Sequence, residues 1–255
     1  MKKEWFVKTL ALVIVALFTS VSYQPIIAEN TKSVEKESDY NNFDFEQAKE
    51  YLFQTIVDIS NNPEVKKFLN DHKKDLFSKD NNKYDFKNMI QKICSQNPKL
   101  LKSILFTKPE MTIEYLEKNY NKGLEMFDIL GKEESSKIVE SVKIINPEIF
   151  NELKNIILDV EELSNRILVL EKININLKPK FEFGKSLDIC FILFIYFIPS
   201  FITEVFFEDL LSWALEHHRL LLAAIDAPFY FLSYLNLLSI LNLMESFNCD
   251  FNPIP

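Results

Sequence analysis

Between Leu187 and Met244 the chain carries seven charged side chains, Asp188, Glu204, Glu208, Asp209, Glu216, Arg219 and Asp226, and the runs between them are almost wholly apolar. Leu187 to Phe207 as a helix rises about 31 Å, enough to cross a hydrocarbon layer about 30 Å thick. Pro199 is expected to kink it. Leu220 to Met244 is a second, weaker span, interrupted by Asp226 and Pro228. The polar stretch Glu208 to Arg219 lies between them, so the spacing predicts a membrane-associated helical hairpin with a polar turn on the far side of the bilayer. Lys178, Lys180 and Lys185 flank the first span on the opposite side from that turn, against the usual preference for basic residues inside. A re-entrant pair, interfacial helices, one true span or a buried core of a water-soluble fold share this composition.

The charge missing from the tail is concentrated upstream. Residues 29–186 hold 25 Lys+Arg and 28 Asp+Glu, the balance of a water-soluble domain long enough to bury its own core. The whole chain has 255 residues and a formal net charge of −8, which argues against binding a polyanion, so no nucleic-acid partner is expected. Only three glycines are present, Gly123, Gly131 and Gly184. Dinucleotide and phosphate loops need several positions without a Cβ, so both are excluded.

At the other end, Lys2, Lys3 and Lys8 precede the apolar run Leu10 to Phe18 and the small residues around Ser20 and Ser22. This is the pattern of an export signal over residues 1–28, with cleavage after Ser22 or Ala28; an uncleaved anchor is the alternative, because Thr9 to Ala28 has no charge. The expected layout is therefore a signal or anchor at 1–28, a helical extracytoplasmic domain at 29–186 and an apolar membrane-associated tail at 187–255.

The middle reads as all-α, with about seven helices. Asn62-Pro63-Glu64, Asn97-Pro98-Lys99 and Asn146-Pro147-Glu148 are helix-opening signals, and Lys108-Pro109-Glu110 is a related one. Asn can accept from free N–H groups, and Pro at the first helical position lacks a donor that would have been unpaired there. Apolar spacing then gives helices near 44–60, 63–77, 84–95, 98–106, 109–130, 133–145 and 147–174, with no competing strand pattern. In the last of these, Ile149, Leu153, Ile156, Val160, Leu163, Ile167 and Leu170 form a seam of three heptads, but Phe150 and Ile157 widen it, as in a helix packed within its own domain.

The stretches Asn61 to Leu69, Phe106 to Leu116 and Glu162 to Ile167 together resemble a group of uncharacterised exported archaeal helical proteins with a C-terminal apolar tail. The likeness covers about residues 45–185 and implies an exported helical head with a membrane tail. That group has no assigned activity, so the resemblance implies no catalytic residue and no cofactor.

Candidate chemistry is sparse. Glu216, His217 and His218 form the one histidine cluster, with Glu208, Asp209 and Asp226 nearby in sequence. Adjacent helical residues point about 100° apart, which is poor geometry for one ion, so metal ligation is left open. Arg219 and Asp226 are seven residues apart and can share a helix face as an ion pair. Gly184-Lys185-Ser186 lacks the earlier glycine of a phosphate loop. Cys94, Cys190 and Cys249 lack metal-type spacing; Cys94 and Cys249 can pair outside the cell, but separate thiols are the expectation. His72 fits the edge of a helical core better than a catalytic base. No Ser-His-Asp order is present. The expected function is a membrane-tethered cell-surface module that contacts another protein or has a structural role, touching lipid through 187–244. The alternative is a membrane-associated metal-dependent enzyme that uses the 208–226 polar turn.

Overall fold

The computed structural model describes residues 44–72, 76–79, 85–105, 107, 109–177 and 189–249. The leader at 1–28, the three lysines before the tail and Gly184-Lys185-Ser186 lie outside them. The described residues form ten helices and one small ribbon: α1 (Phe45–Asn61), α2 (Pro63–His72), β1 (Phe77–Lys79), α3 (Phe86–Gln96), α4 (Pro98–Leu105), α5 (Ile113–Leu130), α6 (Lys132–Glu140), β2 (Val142–Ile144), α7 (Pro147–Leu158), α8 (Glu161–Leu177), α9 (Ile189–Glu216) and α10 (Leu220–Ser246). The all-α reading therefore stands, with one local correction. Phe77 pairs with Ile144 and Lys79 with Val142 in an antiparallel register, where the sequence pattern had placed the ends of helices.

The Asn-Pro signals act as expected. Asn62 Oδ1 accepts from the N–H groups of Glu64 and Val65 at 2.9 and 3.1 Å, Asn146 Oδ1 from those of Glu148 and Ile149, and Asn97 Oδ1 from that of Leu100. Each satisfies donors that a first helical turn leaves free. Asp44 and Gln47 add a reciprocal capping box at the start of α1. Pro109 differs: α5 begins at Ile113, capped by the Thr112 hydroxyl, and Pro109 and Glu110 precede it as irregular chain. Gly131 has φ 80°, so it can both end α5 and open α6, a conformation that a side chain would strain.

The long helix expected over 147–174 is two helices, broken at Asp159 and Val160. The three-heptad seam is thereby interrupted. Its two parts turn their broad apolar stripes inward: Phe150, Leu153 and Ile157 are buried on α7, and Leu163, Ile167 and Leu170 on α8. Arg166 holds α8 to α1, pairing with Asp58 at 2.5 Å while also binding Glu162 within its own helix at 2.8 Å.

The charge distribution separates a head from a tail, but the two share one core. Ile192, Leu193, Ile195, Phe197, Ile198 and Ile202 of α9 are at most 1% exposed, in the same apolar cluster as Leu52, Phe53 and Ile56 of α1 and Leu116 of α5. Aromatic edges join the parts. Phe127 meets Phe191 and Phe194 edge-on at 6.1 and 5.9 Å, and Phe53 lies 5.7 Å from Tyr196. A helix that is apolar all round must be covered on all sides, by lipid or by protein. Here protein covers the first half of α9.

The closest approach is at Gly123. A Cβ at this position would lie 2.2 Å from the Ile195 carbonyl oxygen, so only glycine admits the α9 backbone against α5. Pro199 explains why that oxygen is accessible. Lacking an N–H, it cannot bond the carbonyl four residues earlier, which is that of Ile195. The helix-breaking residue of α9 and the small residue of α5 are thus complementary.

Candidate functional site

The two C-terminal helices form a hairpin, each long and apolar enough to cross a membrane: α9 has 28 residues and α10 has 27. Cys190, in the first turn of α9, is joined to Cys249, just past α10, with Cα atoms 5.4 Å apart. This corrects the expectation of separate thiols. The cysteine assigned to the first span pairs with the one beyond the second, and the bridge closes the base of the hairpin. Cys94 is the free, exposed thiol among the described residues.

Both hairpin helices end without glycine. His218 at φ 54° and Asn248 at φ 49° take the left-handed position. In each case the next N–H reaches back five residues, Arg219 to the Ala214 carbonyl at 2.8 Å and Cys249 to that of Met244 at 2.9 Å. This is the Schellman closure, with His and Asn in the place glycine normally takes. It turns the chain at the tip and aims Cys249 back toward Cys190.

In the half of the hairpin nearest the disulfide, polar side chains find partners across or within the two helices. Tyr196 donates to Asn236 Oδ1 at 2.9 Å, Asn236 donates to the Ser200 hydroxyl at 3.1 Å, and Ser200 donates to the Tyr196 carbonyl at 2.9 Å. Thr203 bonds the Pro199 carbonyl at 2.7 Å and Ser239 that of Leu235 at 2.9 Å. A buried network of this kind is stable where its members satisfy one another, and it fixes the register of the two helices. Ser239 also meets Ser60 of α1 at 2.9 Å, a hydroxyl link between hairpin and head. Asn242 and Ser246 are exceptions: Asn242 is 1% exposed and neither its amide nitrogen nor its oxygen has a partner among the described residues, and the buried Ser246 hydroxyl has none there either.

Toward the tip the surroundings change. Trp213, Leu215, Leu220, Leu221 and Ile225 are exposed, Leu221 by 66%. Glu216, His217, His218 and Arg219 are exposed beside them. His217 stacks on Trp213 with ring centroids 4.8 Å apart, its Nδ1 2.9 Å from the Trp213 carbonyl. Asp226 is buried, with Oδ2 unpartnered, and no ion pair joins it to Arg219 among the described residues. Nor does any group of three or more His, Cys, Asp or Glu side chains gather in a metal-binding arrangement among them. The expected polar turn is therefore present as a turn, but its histidines and carboxylates do not converge. His72, in the head, packs against Phe68 at the end of α2.

Sequence reasoning located the hairpin and its turn. It missed the disulfide, the interhelical network and the contact between the hairpin and the head. The signals for the network were there in Tyr196, Ser200 and Asn236, polar residues spaced along apolar helices. The chain matches no family model, no curated protein and no solved structure, so its site is read on its own geometry.

Proposed function

We propose that the chain is an exported helical protein that engages a lipid membrane through the tip of its C-terminal hairpin and acts through its head as an interaction or structural module. The observation that carries this reading is the exposed group Trp213, Leu215, Leu220, Leu221 and Ile225 at the end of two membrane-length apolar helices. Apolar side chains exposed together mark an interaction surface, and tryptophan is enriched where hydrocarbon meets water. Lipid is the occupant favoured by continuity, because the exposed group extends helices whose length and hydropathy suit a bilayer. The Cys190–Cys249 bridge suits an oxidising compartment. The resemblance to exported archaeal proteins and the basic, then apolar N-terminus support the same side of the membrane.

Flotation of the full chain with sealed phosphatidylcholine and phosphatidylglycerol vesicles tests the reading. The protein is expected to float with vesicles without detergent. Trp213→Ala combined with Leu221→Ser is expected to weaken partitioning by about tenfold or more, given roughly 1.5–3 kcal/mol for each large apolar side chain fully removed from water. A wild-type chain that stays at the bottom of the gradient with every vesicle composition rules the reading out.

A further inference from the structure

We propose that the α9–α10 hairpin, once its tip is on a bilayer, leaves the head as a disulfide-closed unit and inserts across the membrane. This rests on the membrane-engaging reading and goes beyond it, since docking alone leaves the head intact. Four observations carry it.

The first is size. The tip exposed in the folded chain is only the outer part of the hairpin, whereas each helix in full is about 40 Å long, the length needed to place the 216–219 turn beyond a layer about 30 Å thick. The inner part that supplies the rest of that length is the part now buried in the head.

The second is a polar network internal to the hairpin. Tyr196, Asn236, Ser200 and Thr203 are satisfied by groups of the hairpin itself, so these bonds travel with it. One polar link to the head, at Ser60, is to Ser239, whose hydroxyl also bonds its own helix at Leu235 and so keeps a partner after release. In hydrocarbon, where water offers no replacement, these bonds hold the two helices together, while the buried Glu204, Asp226 and Asn242 add to the cost of insertion.

The third is closure. The Cys190–Cys249 bridge ties the two ends of the hairpin together at its base. The helices can therefore leave as one body in fixed register.

The fourth is the nature of what is given up. The head covers α9 mainly with apolar side chains, among them Phe53, Leu116 and Phe127. Lipid tails replace such neighbours closely, and the amphipathic head helices, left with an uncovered apolar face, suit the membrane surface. Glu208, Asp209, Glu216 and Arg219 must cross during insertion, and they form the barrier that keeps the hairpin in the head until it has docked.

Arg219 supplies the test, because it is the one Lys or Arg after residue 186 and is exposed at the turn. Trypsin added outside sealed vesicles cuts after Arg219 in a docked hairpin and releases the C-terminal fragment on reducing gels. An inserted hairpin holds Arg219 in the lumen, protected until detergent opens the vesicle. The locked comparison is Ser60→Cys with Ser239→Cys in a Cys94→Ser background, oxidised and with its bridges checked by mass spectrometry, which ties α1 to α10. Wild type is expected to float and become protected; the locked variant is expected to float and stay cleavable. Should the locked variant fail to fold, Gly123→Ala, which loosens the α5–α9 contact, is expected to reach protection faster than wild type. The inference is overturned if the locked chain is protected as fully as wild type, if Gly123→Ala leaves the rate unchanged, or if floated wild type remains wholly cleavable. In that last case the docking reading survives. Failure of wild type to float removes both.

Discussion

The inner and outer halves of the hairpin both carry many large apolar side chains and meet opposite surroundings. On α9, Ile192, Leu193, Ile195 and Phe197 are sealed by head helices, while Trp213 and Leu215, farther along the same helix, face outward. Charge is one part of the difference, since the outer half of α9 carries Glu204, Glu208, Asp209 and Glu216 and the inner half none; the rest lies in packing. Packing is set by what stands opposite: the inner half meets α5, where Gly123 admits close backbone approach, and α1, which supplies Phe53 and Ser60. Apolar character thus sets how much surface must be covered, and small or polar residues on the neighbours decide where protein covers it.

Opening the disulfide is the strongest way to break this comparison. The bridge closes a separation of 59 residues, and loop-closure entropy then assigns it about 4 kcal/mol. Cys249→Ser is expected to lower the chemical-denaturation midpoint by the equivalent of most of that figure. The inner half, whose register the bridge holds, should lose amide-exchange protection more than the exposed tip. A midpoint within error of wild type would mean that packing against the head alone fixes the base of the hairpin.

Gly123→Ala probes the inner half directly. The added methyl meets a backbone carbonyl rather than a flexible side chain, so α5 and α9 must separate, at an expected cost of about 1–3 kcal/mol. The matched outer change, Leu221→Ser, removes no buried contact and is expected to shift stability by less than about 0.5 kcal/mol. Thermal melting of the two variants measures the contrast. Equal losses would show that the outer half is held by the fold as firmly as the inner half.

This contrast also marks what could be read from the sequence. The helix starts at Pro63, Pro98 and Pro147 were legible because asparagine capping and the missing proline donor act within a few residues. The apolar tail and its polar turn were legible because length and charge are additive along the chain. The partner of the tail was not, since an apolar stretch reads alike whether lipid or protein surrounds it. The Ile195 carbonyl freed by Pro199 lies against a glycine more than seventy residues away, a relation with no local signal. The pairing of Cys190 with Cys249 depends on the hairpin fold, and the ribbon of Phe77–Lys79 with Val142–Ile144 is too short to impose a period of two. The break at Asp159 has neither glycine nor proline to announce it.

Asn242 gives the finest test of what covers the inner half. Its side chain is sealed from water with both amide groups unpartnered, so the folded chain bears a desolvation cost that nothing nearby returns. Leucine has a similar shape and no polar atoms. Asn242→Leu is therefore expected to stabilise the folded chain by about 1 kcal/mol, read as a rise in denaturation midpoint with an unchanged slope. The inserted hairpin places residue 242 in hydrocarbon, where an unpartnered amide is also costly, so the same substitution should not slow the acquisition of trypsin protection at Arg219 on vesicles. A loss of stability would mean instead that the amide is satisfied by water within the core, and that the inner half is less completely sealed than its neighbours on α9.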